Sequence, residues 1–145
     1  RENFLRFEDT YWFVLQLLVA FISVMNVVGL GHALGWPVNV PTAVLLGIGA
    51  MFMILGNVLP RTRSNWFMGI RTPWTLDSES VWRETHRLGG RTFVLGGFVT
   101  MIAAFLPEPI QPIVAIVALC IAGFIPVIYS YLLWRREQQQ HGATS

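Results

Sequence analysis

Apolar positions in this chain do not alternate with polar ones at a helical or strand period. They gather into four long runs. Residues 11–31, 42–59, 88–106 and 110–134 each read as a membrane-spanning helix, since about 20 apolar residues at 1.5 Å rise cover a hydrocarbon core of roughly 30 Å. The first run opens on Tyr11 and Trp12. The last closes on Tyr129, Tyr131 and Trp134, residues suited to the membrane–water interface. Residues 1–10 read as an interfacial lead-in and 135–145 as a polar cytoplasmic tail. The predicted fold is all-α: a polytopic membrane protein with four transmembrane helices and a cytoplasmic loop, 60–91, containing a short amphipathic surface helix.

The connections fit this plan. Gly35 and Pro37 break the helix within 32–40, Trp36 anchors that turn, and Pro41 suits the first turn of the next helix. Pro107, Pro109 and Pro112 mark a tight turn that makes the last two spans antiparallel neighbours. Gln16 and Asn26 are polar exceptions in the first run, and an amide in hydrocarbon should face another helix. Gly49 and Gly56, seven apart, share a face and permit close helix approach. Pro126 should kink the last span or mark a place where another helix supplies partners.

Composition sharpens the class. The chain is 54% hydrophobic and 12% charged, against roughly 25% charged in a soluble domain. All ten basic residues outside histidine are arginine. With four spans, both termini and the central loop share one side, while the two short connections opposite carry only Glu108 as a formal charge. The positive-inside rule then makes the arginine-rich side cytoplasmic. Cys120 is the one cysteine, so no intrachain disulfide forms and core packing is its reading. The first apolar run lacks a cleavage pattern and is read as a span rather than a signal peptide. The chain opens on Arg1, and residues preceding it are expected.

The central stretch concentrates the chemistry. Six of the ten arginines (Arg61, Arg63, Arg71, Arg83, Arg87, Arg91) fall between Gly56 and Arg91, with Trp66, Trp74, Trp82 and His86. Arg61, Arg63 and Arg91 suit topology setting and contact with anionic headgroups. Pro73 fixes its own φ and biases Thr72 toward extended geometry, so Arg71 sits in a rigid turn. Asp77 or Ser78 can cap a helix reaching about Leu88, with Val81, Trp82, Thr85 and Leu88 on one side. Gly89–Gly90 is expected to end it and permit a sharp turn into the third span. His86 with Glu84 or Asp77 is a conceivable acid–base pair. Yet Glu84 and His86 are two apart on a helix and do not face each other. No compact metal spacing or nucleophile elbow is present. The chain is therefore read as a non-enzyme with no cofactor and no catalytic or metal residues. Arg71, Trp74 and His86 are the candidates for a specific site, with a structural hydrogen-bond network as the rival reading.

The run GNVLPRTRSNWFMGIRTPWTLDSESVWRETHRLGGR, from Gly56 to Arg91 and on to about Gly97, resembles the signature of the SdpI family of bacterial multi-spanning membrane proteins. The resemblance implies functional importance for Asn57, Pro60, Asn65, Gly69, Arg71, Thr72, Pro73, Trp74, Thr75, Trp82, Thr85, His86 and Gly90. Family members commonly carry lysine where this chain has Arg61, Arg63 and Arg91, so charge is kept. The resemblance also implies residence in the bacterial cytoplasmic membrane, protection from a membrane-active toxic peptide, and signalling by capture of a cytoplasmic repressor. Membrane lipids are expected partners; direct nucleic-acid binding is not expected. Two other readings come from the residues. An accessory subunit of a larger membrane complex fits glycine-lined spans on a short chain. A small transporter or lipid-handling protein would need Gln16, Asn26 and Asn57 to line one polar cavity, and no intramembrane acidic residue is present to couple ions.

Overall fold

A computed structural model describes residues 2–62 and 69–142 of the chain. Helix α1 (Glu2–Ala33) is followed by α2 (Val40–Val58), a 3-10 turn at Leu59–Arg61, the short α3 (Pro73–Asp77), then α4 (Glu79–Ala103) and α5 (Ile110–Gly142). Helix ends follow local chemistry. Gly35, at φ 84°, closes α1. The Gly35 amide donates to the His32 carbonyl at 3.0 Å and the Trp36 amide to Gly31 at 2.9 Å, the paired bonds of a Schellman stop. The Trp36 ring then folds over Gly31, where an added Cβ would meet it at 2.6 Å. Asn39 caps α2 by accepting from the Thr42 amide at 3.0 Å.

Among the described residues, three helices are long and apolar enough to cross a membrane: Asp9–Ala33, Val40–Arg61 and Ile110–Gln140. This corrects the expectation of four transmembrane helices. The expected third span is the C-terminal part of α4, and α4 carries Arg83, Arg87, Arg91 and four glycines along its 25 residues. It is too polar to qualify. Nor does the expected surface helix end at about Leu88 as a separate element. The segment from Glu79 runs unbroken through Gly89–Gly90 to Ala103. A glycine ends a helix by taking positive φ, and among the described residues only Gly35 and Gly69 do so. Gly89 and Gly90 serve close packing instead.

Consecutive long helices run antiparallel. Gly47 of α2 lies against Phe21 and Met25 of α1. A Cβ on Gly90 would meet the Gly56 carbonyl at 2.6 Å, and one on Gly97 the Gly49 carbonyl at 2.5 Å. The backbones of α2 and α4 therefore touch along two turns. Helix α4 is sandwiched between α2 and α5, while α1 packs on α2 at the edge. Lipid offers no hydrophobic drive for helix association, so small residues and interhelical hydrogen bonds carry the packing. The α4–α5 seam shows this at Pro126. Lacking an N–H, it leaves the carbonyl of Ala122, four residues back, without its helical donor. The Thr92 hydroxyl of α4 donates to that carbonyl at 2.9 Å.

The N-terminal lead-in is continuous with α1, and α5 runs to Gly142 through most of the segment read as a polar tail. Gln16 and Asn26, expected to face other helices, are exposed. The Asn26 amide donates to its own helix, at Ile22 O, 2.8 Å.

Candidate functional site

The chain between the 3-10 turn and α4 is held by side chains of α4 and α5. His86 is the centre. It sits one turn after Trp82 on α4, and the two rings stack at 4.0 Å and 18°. Both are buried, at 1% and 2% exposure. The Ile70 amide donates to His86 Nε2 at 2.9 Å, so Nε2 carries no proton. Nδ1 lies 2.8 Å from the Trp82 carbonyl, so Nδ1 is the donor. Two backbone contacts thus define one neutral tautomer. Burial lowers the His86 pKa below its ordinary value of 6.5, while the hydrogen bond to the Trp82 carbonyl opposes that shift. Trp82 Nε1–H donates to the Thr62 carbonyl at 3.0 Å. The pair therefore grips the chain on both sides of residues 63–68.

Gly69 makes the approach to His86 sterically feasible. Its φ is 108°, and a Cβ there would collide with His86 Nε2 and meet the Trp82 ring at 3.2 Å. Only glycine meets both requirements without strain. After Arg71, the run Thr72–Pro73–Trp74–Thr75 forms a capping box at the start of α3. The Thr75 hydroxyl accepts from the Thr72 amide at 2.9 Å, and the Thr72 hydroxyl accepts from the Thr75 amide at 3.3 Å. The buried Thr75 hydroxyl also lies 2.9 Å from the Ile70 carbonyl. Pro73 occupies the first helical position, where its missing N–H costs nothing.

This unit docks on α5. Trp74 Nε1–H donates to the buried Ser130 hydroxyl at 2.5 Å, and Ser130 donates to the Val127 carbonyl at 2.6 Å. The Trp74 ring meets Tyr131 edge-on at 5.3 Å. Trp134 Nε1–H donates to Asp77 at 2.8 Å. Ser78, the N-cap of α4, donates to Glu137 at 2.8 Å, and Ser80 donates to the same carboxylate.

The structure thus brings together Gly69, Thr72, Trp74, Thr75, Trp82 and His86. Arg71 is exposed between Ile70 and the capping box, and Pro73 is exposed at its start. Thr85 is fully buried with its hydroxyl unpartnered among the described residues. Pro60 and Gly90 lie apart from the cluster, packed on each other at the α2–α4 seam. Asn57 is exposed and donates to its own helix at Met53 O, 2.9 Å. Asn65, like Arg63 and Trp66, lies outside the described residues. Sequence reasoning missed the α5 contributors Ser130, Trp134 and Glu137. Their spacing of four and three does put them on one helix face. Among the described residues, no three His, Cys, Asp or Glu side chains converge on a metal position. The neutral His86 has both nitrogens committed to backbone. Its chemistry here is that of a clasp.

The model of the SdpI/YfhL protein family matches residues 61–130. That range begins at the end of the 3-10 turn and closes on Ser130, taking in the clasped segment, α3, α4 and α5 as far as Ser130, while Tyr131, Trp134 and Glu137 lie beyond it. The chain is 30% identical over 124 residues to the immunity protein SdpI of Bacillus subtilis (strain 168). The matched region covers 86% of this chain and 55% of that relative, so the chain spans about half the relative's length. No solved structure matches.

Proposed function

We propose, from the premise that this chain belongs to the SdpI/YfhL family of membrane proteins, that it acts as an immunity and signalling protein. In this reading it protects its bacterium from a membrane-active toxic peptide and captures a cytoplasmic repressor at the membrane. It is not an enzyme, in keeping with a relative named for immunity. The observation that carries the reading is the coincidence of the family match with the clasped unit. The matched residues include those that hold the Arg71 turn on His86 and Trp82 of α4 and on Ser130 of α5.

The end of the bundle bearing Arg61, Arg71, Arg83 and Arg87 also holds the start of α1 and the end of α5, while Glu108 lies in the opposite turn. That asymmetry supports a cytoplasmic location for the arginine-rich end and both termini. Arg71, on the exposed elbow of the clasped segment, is then the contact residue. Gly69, Thr72, Pro73, Trp74, Thr75, Trp82 and His86 hold it in place. Thr85, Gly90, Pro60 and Asn57 support the helices beneath, and Asn65 belongs to the same segment by sequence.

The test is expression in a strain sensitive to a secreted membrane-active peptide. The native chain should restore growth, and Arg71→Gln should abolish protection at unchanged membrane abundance. Trp82→Ala should abolish it through loss of the clasp. A native chain that reaches the membrane and gives no protection would sink the immunity reading. An Arg71→Gln protein that protects fully would sink the site.

A further inference from the structure

Helix α4 spends two of its faces on neighbours. Gly90 and Gly97 meet α2, while Thr92 and Gly96 meet α5, and Gly89 faces Ile70 and Leu59 with Pro126 of α5 behind them. The third face carries Arg87, Arg91, Leu95, Phe98 and Ile102, all exposed. Steps of three and four residues keep these on one stripe. The stripe changes character once. Leu95, Phe98 and Ile102 are 63%, 52% and 51% exposed, and an apolar stripe so open belongs against acyl chains. Arg87 and Arg91 continue it toward the helix N-terminus.

The depth of Arg91 follows from its neighbour. A Cβ on Gly90 would meet the Gly56 carbonyl and the Pro60 ring, so Arg91 lies level with the last turn of α2, still within the apolar segment Val40–Arg61. A guanidinium leaving that level must rise toward the surface. Side chains on a helix tilt toward its N-terminus, which for α4 is the direction of the surface and of Arg87. One turn separates the two residues, about 6 Å between Cβ atoms. Arg87 reaches Glu84 at 3.5 Å with both side chains largely exposed, 64% and 46%. Such a pair holds little free energy and yields readily to a better acceptor. Guanidinium groups bind phosphate oxygens through paired, charge-assisted hydrogen bonds.

We propose that Arg87 and Arg91 hold the phosphate of an anionic phospholipid on the outer face of α4, with its acyl chains along Leu95, Phe98 and Ile102. The site is independent of the immunity reading and lies on a different face from the His86 clasp. It is tested by exchanging the purified full chain into equimolar phosphatidylglycerol and phosphatidylcholine, then counting retained lipids by native mass spectrometry. The native chain should retain phosphatidylglycerol preferentially, and Arg87→Gln with Arg91→Gln should lower the preference roughly tenfold or to parity. Arg91→Gln alone should lower it severalfold, and serves if the pair unfolds. Arg135→Gln with Arg136→Gln, at the end of α5, should leave the preference intact. Equal retention of both lipids by the native chain would overturn the proposal. So would a preference unaltered by the Arg87 and Arg91 substitutions, or one lost equally through Arg135 and Arg136, which would assign it to overall charge.

Discussion

Helices α1 and α4 invert the rule of soluble proteins. Helix α1 is among the most apolar segments, yet it lies at the edge with Val19, Val27 and Leu30 at 60% exposure or more. Helix α4 is more polar, with three arginines and four glycines, and it is packed between α2 and α5. In lipid an apolar side chain gains nothing by turning inward. Burial is worthwhile for backbone contact through glycine, and for hydroxyls and rings with hydrogen-bond partners. The polarity of α4 therefore goes with its burial between α2 and α5, and this helix is also what holds the Arg71 turn.

The comparison breaks hardest at the glycines. Gly90→Leu should cost at least about 3 kcal/mol of unfolding free energy in detergent, because the new side chain would enter the Gly56 carbonyl and no flexible neighbour can yield. Near-native stability for that variant would refute the close α2–α4 contact. A smaller effect tests the hydroxyl seam. Thr92→Val should cost about 1–2 kcal/mol by orphaning the Ala122 carbonyl. Adding Pro126→Ala should recover part of that loss, since alanine restores the helical donor to Ala122. Strict additivity of the two substitutions would show that Thr92 does not serve this carbonyl. The smallest effect belongs to α1. Gly29 has nothing within 4 Å of its would-be Cβ, so Gly29→Ala should stay within about 0.5 kcal/mol of the native chain. A loss comparable with Gly90→Leu would mean that α1 is packed on that face.

Much of this arrangement was legible in the residues. Hydropathy located α2 and the start of α5, though α5 runs on to Gly142, and Gly35 with Trp36 located the end of α1. The spacing of Trp82 and His86 placed them one turn apart, and Thr72–Pro73 announced a capped turn. The continuity of α4 was not legible, because Gly89–Gly90 has the chemistry of a helix stop. Only the nearby Gly56 carbonyl and Pro60 ring explain why small residues are needed there without positive φ. The count of spans failed because the segment read as the third span carries Arg91 and paired glycines, which leave it short of the apolarity of α1, α2 and α5. Ser130 and Glu137 were missed because their partners, Trp74, Ser78 and Ser80, lie more than fifty residues away and local pattern carries no such pairing. Asn57 shared the motif but spends its amide on its own helix.

Nitrogen-15 NMR of the full chain in bicelles reads the clasp at His86 directly, with His86→Gln identifying the signals. Folded His86 is held neutral by burial and by the Ile70 amide, whereas in the unfolded chain it takes up a proton near its ordinary value of 6.5. Its contribution to stability is therefore complete above that value and is lost as the pH falls below it, toward the lower folded-state value. The predicted spectrum shows Nδ1 protonated, Nε2 bare, and a titration midpoint below 6.5. A proton on Nε2, or a midpoint at or above 6.5, would contradict the clasp.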